Sequence, residues 1–518
     1  IGAVAAALLL TKINVGIFAA FAGVAWLSLH LRAGPVRRIA IAVVLVGCVL
    51  LPLLLMRDKL GEPWVMTLAL TWSAAAVTAV ATTAWQGPGD LTPRAAVPAL
   101  FSGAVAAALI LAVPLARGTG ISDLLDGILL GMHARIDNPE LLRAQELGIP
   151  VYSFPEFIYN QSQDKKRVVI AGSHGKTSIT SMILHVLKDQ GMDFDYLVGA
   201  QIEGFDLMVR LSDAPIIVIE GDEYLTSPID RTPKFFHYKH DILLVSGIAW
   251  DHFNVFPDFE DYKKQFSLLM DRTPASGTLI YCSADPLVNE AAEKSSGQGI
   301  KIGYQAHPSR IDSGKTTLIT PTGEVEIGVF GEHNLQNLQG ALHICEALGL
   351  SSEKFYASIQ SFKGAAKRQE IIVQHDTGIL FRDFAHAPSK LKATVNAVKN
   401  QFPARRLLAV QELHTYSSLN PQFLPNYAHS MDEADTAVIY LNPHAVALKK
   451  LELMSEEMLR EGFQRKDLIL FTDSTALSEY LLAQEYTDTN LLLMSSGNYD
   501  NLNLEPLKQK FLSYAAQP

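Results

Sequence analysis

RVVIAGSHGKTS, residues 167–178, reads as a short apolar strand, a glycine loop ending in Gly175-Lys176-Thr177, and the start of an amphipathic helix through about Lys188. Strand, glycine loop and helix in that order predict an α/β domain that cradles nucleotide phosphates. Backbone N–H groups around Gly172 and Gly175 would hold anionic oxygens at a helix N-terminus. Lys176 would reach the terminal phosphates, and the Thr177 hydroxyl would sit on Mg²⁺. The usual spacing asks for a glycine where this chain has Ile170, so the loop is the shorter G-x-x-G-K-T form. A glycine turn with a surface lysine is the plainer alternative. The flanking strand and helix favour an ATP or GTP site.

Two more strand–acid junctions follow. APIIVIEGDEY is a hydrophobic strand delivering Glu220, Asp222 and Glu223 at its carboxyl end, and DILLVSGIAWDHFNVF delivers Asp251 and His252. Ligands of doubly wound sheets bind at strand carboxyl ends, so these groups are expected to converge with Lys176 and Thr177. Oxygen ligands of that kind suit Mg²⁺. Farther on stand GEHNLQNLQGA (331–341), KRQE (367–370), RDFAHAP (382–388) and SSGNYDN (495–501). Asn334 and Asn337 lie three apart on an expected helix, so both amides can face one heterocycle; equally, Asn334 can be the N-cap of that helix. Before the loop, LLGMHARIDNPELLRAQELGIPVYSFPEFI reads as a strand end, a helix starting at Asn138-Pro139-Glu140, a short strand and another helix.

Composition divides the 518 residues into two materials. A formal charge of −10 and the absence of a basic stripe argue against a nucleic-acid partner. Cys48, Cys282 and Cys345 are too few and too scattered for a disulfide framework or a zinc site. Residues 1–116 are rich in Ala, Leu and Val, and four stretches are long enough to span a bilayer: Ile13–Leu31, Ile39–Met56, Trp64–Trp85 and Ala95–Leu115. Basic residues there are six Arg against two Lys in 1–120, but eleven against twenty-two in 161–518, a contrast that suggests two origins. Arg32, Arg37 and Arg38 place the first short loop in the cytoplasm. Counting spans forward then leaves everything after Leu115 outside, the wrong side for an ATP-using domain. Either one span is misread or the two halves did not evolve together.

The ordered series GSHGKT, IEGDE, WDH, GEHNLQN, KRQE and RDFAHAP resembles the Mur ligase family of ATP-dependent amide-bond-forming enzymes, from about Leu129 to the C-terminus. The resemblance implies an α/β protein with a central P-loop ATPase domain (163–362), a Rossmann-like C-terminal domain (363–518), and a truncated UDP-binding N-terminal domain (121–162), here preceded by an all-α transmembrane segment (1–120). It implies ATP and Mg²⁺ as cofactors, with Gly172, Gly175 and Lys176 at the phosphates and Thr177, Glu220 and His252 at the metal. Asn334 and Asn337 would sit at the adenine, Arg368 and Asp383 at phosphate and ribose, and His174 near the reacting carboxylate. Lys176, His174, His252 and Arg368 would carry catalysis, and His386 and His414 would face the second substrate.

GMHARIDNPELLRAQELG, DYLVGAQIEGFD, EGDEY and SPIDRTPKFFHY are similar to the branch that joins UDP-N-acetylmuramate to the tripeptide L-alanyl-γ-D-glutamyl-meso-diaminopimelate in peptidoglycan recycling, rather than to the branch that adds free L-alanine. The expected ligase part is cytoplasmic, with the chain membrane-associated through residues 13–115. Family members begin with a glycine-rich turn for the UDP group, and no such turn stands upstream of LLGMHAR. TKINVG and ARGTGISDLLDGILL weakly resemble a multi-pass, polyprenyl-linked glycosyltransferase. The competing readings are the L-alanine-adding ligase, a membrane glycosyltransferase fragment fused to an inactive ligase, and a nucleotide-binding regulator without ligation.

Overall fold

The computed structural model describes Pro35–Leu55 and residues 128–515 apart from 133, 203, 251, 252 and 254. Its two compact units are Ile1–Gly127 and Ile128–Pro518. In the first unit the helix Pro35–Leu55 covers most of the second expected span. Side chains there are described at Pro35, Val36 and from Ile39 to Leu50, with Val44 and Cys48 buried and Ile39, Val43 and Val46 exposed. The other three expected spans lie outside the described residues. Among the described residues no helix is long and apolar enough to cross a membrane. The expected transmembrane segment therefore gains no support from them.

The second unit opens with a two-stranded parallel sheet, β1 (Ile128–Leu130) and β2 (Val151–Ser153). The helix Pro139–Glu146 joins them, and Phe154–Asn160 follows. The first helix starts where expected, and the second follows the short strand. Asn138 accepts from the N–H groups of Glu140 and Leu141, and Ser153 forms a reciprocal capping box with Glu156.

Seven strands make the central sheet: β3 (Lys166–Ala171), β4 (Asp195–Leu197), β5 (Val209–Arg210), β6 (Ile216–Glu220), β7 (Ile242–Val245), β8 (Thr278–Cys282) and β9 (Ile300–Tyr304). Their order is β5-β4-β6-β3-β7-β8-β9, parallel throughout except for β5 against β4. The continuous Val168-Val169-Ile170-Ala171 run is explained by burial on both faces. Val168 and Ile170 join one core with Ile179, Met182 and Leu338, while Val169 and Ala171 join another with Phe235, Tyr262 and Phe266. β10 (Ser309–Asp312), β11 (Lys315–Thr320) and β12 (Gly323–Ile327) form an antiparallel meander. The last sheet holds β13 (Glu370–His375), β14 (Gly378–Asp383), β15 (Arg406–Leu413), β16 (Thr436–Leu441), β17 (Ile469–Phe471) and β18 (Thr489–Met494), in the order β13-β14-β18-β15-β16-β17. Only β13 runs antiparallel to its neighbour. In doubly wound sheets of this kind the carboxyl ends of the parallel strands are where ligands bind.

One buried ion pair ties β4 to the segment that feeds β3. Lys165 and Asp195, with side chains 3% and 0% exposed, approach to 3.2 Å, and Lys165 also donates to the Ala214 carbonyl at 2.9 Å. Removing one partner of such a pair strands a buried charge at a cost of about 3–5 kcal/mol. Lys165→Met should therefore lower the free energy of unfolding of the second unit by that amount in denaturant titrations. A midpoint equal to wild type would show that Asp195 is relieved by water.

Candidate active site

The chain leaves β3 through Gly172, whose φ of +130° only glycine adopts without strain. It turns again at Gly175 (φ +80°), the N-cap of the helix Lys176–Asp189. No side chain caps that helix, so its first N–H groups remain for a ligand. Lys176 donates to the Gly172 carbonyl at 2.7 Å and to Glu223 at 2.6 Å. Burial works against its charge, but Glu223, Asp222 and Glu220 outweigh that and raise its pKa. Two of the three ammonium donors are thus used, which leaves one for a phosphate oxygen. Behind the pair, Tyr262 donates to Glu223 at 3.1 Å, and Ser173 sits 2.8 Å from the Tyr262 hydroxyl.

Thr177 donates to Glu220 at 2.8 Å, and the Gly199 N–H donates to the other Glu220 oxygen at 2.9 Å. The end of β6 therefore delivers Glu220 and Glu223 to the loop as expected, but not Asp222. That carboxylate turns to Lys234 at 2.6 Å instead. Asp251 and His252 lie outside the described residues.

The helix Glu332–Ala347 begins at Gly331, so Asn334 is not its N-cap. Gly331 takes the cap with φ +89°. Asn334 and Asn337 are buried on the inner face of that helix. His333 beside them is pushed down to about 4 by burial, with a further contribution from His174. Asp383 ends β14 and accepts from the Gln369 N–H at 2.7 Å and the Ala385 N–H at 2.6 Å. Burial raises its pKa, and Arg368 opposes the rise. The Arg368 guanidinium lies 4.7 Å from the centre of the Phe384 ring; burial lowers its pKa against the charges of Asp383 and Glu220. His386 donates Nδ1–H to the Phe384 carbonyl at 2.8 Å.

A cavity of about 350 Å³ unites these groups: His174, Gly175, Lys176, Thr177 and Glu220 from one sheet, Asn334 and Asn337 from the helix, and Arg368, Asp383 and His386 from the other sheet. Gly172 shapes the loop without lining the cavity. His414 does not line it. Its Nδ1 lies 3.8 Å from Glu412 beyond the end of β15. Sequence reading singled out neither Ser246, which donates to the His174 carbonyl, nor Gln369, which lines the cavity between Arg368 and Glu370. For Ser246 no local signal exists; Gln369 stood inside the KRQE motif and went unweighted.

The sequence profile of the Mur ligase middle domain matches residues 170–345. The chain is 30% identical over 343 residues to the UDP-N-acetylmuramate–L-alanine ligase of Sulfurihydrogenibium sp. (strain YO3AOP1), covering 65% of this chain and 73% of that one. Against the UDP-N-acetylmuramate–L-alanyl-γ-D-glutamyl-meso-2,6-diaminoheptandioate ligase of Haemophilus influenzae it is 25% identical over 398 residues, covering 74% and 86%. Among solved structures, a murein peptide ligase of Psychrobacter arcticus aligns with TM-score 0.52 at 20% identity over 76% of this chain and 86% of that one. The MurF ligase of Thermotoga maritima in complex with ADP aligns with TM-score 0.54 at 14% identity over 76% and 96%. At those identities the structures speak for the fold alone. Fold and sequence together define an ATP-dependent ligase that forms amide bonds. The chain belongs to the Mur ligase family.

Proposed function

We propose that the chain joins UDP-N-acetylmuramate to L-alanyl-γ-D-glutamyl-meso-diaminopimelate in peptidoglycan recycling, with ATP consumed to ADP and phosphate. The observation that carries the ATP half is the single cavity holding Lys176, Thr177, Glu220, Asn337, Arg368 and Asp383. A carboxylate is a poor acyl donor, so its oxygen first takes the terminal phosphoryl group of ATP. The amine of the peptide then attacks the acyl carbon, and phosphate leaves with the C–O bonding pair. Lys176 and Arg368 neutralise charge on the transferring group, and the uncapped helix N-terminus orients it. Asp383 takes the ribose, His174 lies near the reacting carboxylate, and His386 and His414 lie toward the peptide.

Thr177 and Glu220 present hard oxygen donors that fit Mg²⁺. Among the described residues no group of three or more His, Cys, Asp or Glu could form a cage around a metal. That suits a cation completed by phosphate oxygens and water. When bound, Mg²⁺ supplies charge neutralisation at the phosphates. The role given to His252 beside the metal rests on the family pattern alone.

The tripeptide reading is supported by the extent of the match to the Haemophilus ligase, which spans more of both chains than the match to the Sulfurihydrogenibium ligase. The higher identity of the latter favours L-alanine as the second reading. The chain should release ADP only when UDP-N-acetylmuramate and the tripeptide are both present. ADP release with free L-alanine but not with tripeptide would reverse the choice of amine. This chemistry places the ligase part in the cytoplasm, where ATP is supplied.

A further inference from the structure

A ring of hydrogen bonds backs the phosphate loop, and its hydrogens run in one direction. Glu223 stands just past the end of β6, and its fully buried carboxylate can only accept. One oxygen takes Lys176 Nζ at 2.6 Å, and the other takes the Tyr262 hydroxyl at 3.1 Å. Tyr262, on the helix Phe259–Asp271, thereby spends its one hydrogen. The Ser173 hydroxyl, 2.8 Å away, must then donate to the Tyr262 oxygen. Ser173 Oγ in turn accepts from the Ala249 N–H at 2.9 Å. Lys176 closes the ring on the Gly172 carbonyl at 2.7 Å. Ser173 and Lys176 belong to one loop, so the ring leaves that loop, crosses two other elements and returns to it. Ser173 and Lys176 line the cavity, whereas Glu223 and Tyr262 do not.

Each donor in the row from Ala249 to Tyr262 points toward the Glu223 carboxylate, an arrangement in which every bond polarises the next. We infer that Tyr262, with Ser173 supporting it, is a positioning residue for the phosphate-contacting lysine and acts through Glu223. The inference rests on the nucleotide reading above. By holding one oxygen of Glu223, Tyr262 fixes which oxygen is turned to Lys176. It also takes up part of the carboxylate's demand for donors, so that Glu223 steadies the ammonium without drawing it out of the cavity. Without the hydroxyl, a fully buried carboxylate loses a donor that water cannot replace. Glu223 then leans harder on Lys176 and withdraws it from the terminal phosphates.

The test is Tyr262→Phe in the whole chain, which keeps the ring among Phe256, Phe259 and Phe266 and removes only the hydroxyl. Calorimetric titration with Mg²⁺ and ATP should show binding weakened about tenfold or more, the scale of a hydrogen bond to a charged group. AMP lacks the phosphates that the lysine meets, so its affinity, read by competition against ATP, should not change. In a Glu223→Gln background no carboxylate is left to steady, and adding Tyr262→Phe should cost no further ATP affinity. Ser173→Ala should weaken ATP binding in the same direction by a smaller factor, again with no added loss beside Glu223→Gln, and it carries the test where Tyr262→Phe fails to fold. Equal weakening of ATP and AMP would make Tyr262 a packing residue and overturn the inference. So would wild-type ATP affinity in Tyr262→Phe, or an undiminished loss in the Glu223→Gln background. Binding of no adenine nucleotide by wild type would overturn the nucleotide reading itself, and this inference with it.

Discussion

Lys176→Met should abolish productive Mg·ATP use, lowering kcat/KM for ADP release by about a thousandfold or more, the scale of removing one charge-stabilising group from a phosphoryl-transfer site. The same change should weaken the fold. Glu223, fully buried, meets Lys176 at 2.6 Å, so the variant takes from it a cation that burial has made essential. The cost for such a pair is about 3 kcal/mol or more. The two effects separate in Lys176→Met/Glu223→Gln, which removes the stranded charge while Tyr262 still meets a polar group. That double variant should recover much of the lost stability in denaturant titrations and none of the activity. If activity returned with stability, Lys176 would be a structural partner of Glu223 only. Unchanged ATP affinity in the single variant would remove it from the phosphate site altogether.

Local pattern carried far in this chain because its decisive elements are built from near neighbours. β3, the glycine loop and the helix Lys176–Asp189 follow from twenty-odd contiguous residues, and Asn138 caps a helix where its spacing says it must. Glu220 was readable at a strand end for the same reason. Misreadings arose where the competitor lay far off in sequence. Asp222 sits in the same acidic run as Glu220 and Glu223, yet Lys234 takes it away from the loop. Asn334 has the composition of an N-cap, but Gly331 adopts a backbone angle that asparagine tolerates less readily and takes the cap. The helix then starts earlier and rotates Asn334 inward. Its final partner, Gln369, is 35 residues away, on a turn that only the joining of the two sheets brings near. His414 is no misreading, since its expected place is at the second substrate and not at the nucleotide, but its separation from the cavity follows from the order β14-β18-β15, which no stretch of text displays.

Gly172→Ala should disable the site without touching a single ligand-binding side chain. An L-residue at φ +130° is strained, and the added Cβ would lie 2.2 Å from Ser246 Oγ and 3.0 Å from the backbone N of both Ser246 and Gly247. Ser246 cannot swing aside cheaply, because its one hydroxyl hydrogen goes to the His174 carbonyl, with the Ala171 carbonyl 3.2 Å from the same oxygen. Nor can the two backbone nitrogens move, for they continue β7, which is paired on both sides by β3 and β8. The loop must therefore yield, and it is the loop that aims its N–H groups and the Lys176 ammonium at phosphate. Strain and overpacking together should cost about 3 kcal/mol of stability. Displacing the loop by about 1 Å should lower kcat/KM about a hundredfold in the surviving folded fraction. Gly191→Ala is the matched control: φ there is +67°, and a Cβ meets nothing within 4 Å. It should cost about 1 kcal/mol and leave activity per folded molecule unchanged. If the two variants lost activity alike, backbone strain alone would account for both, and the clash with Ser246 would have no bearing on the phosphate loop.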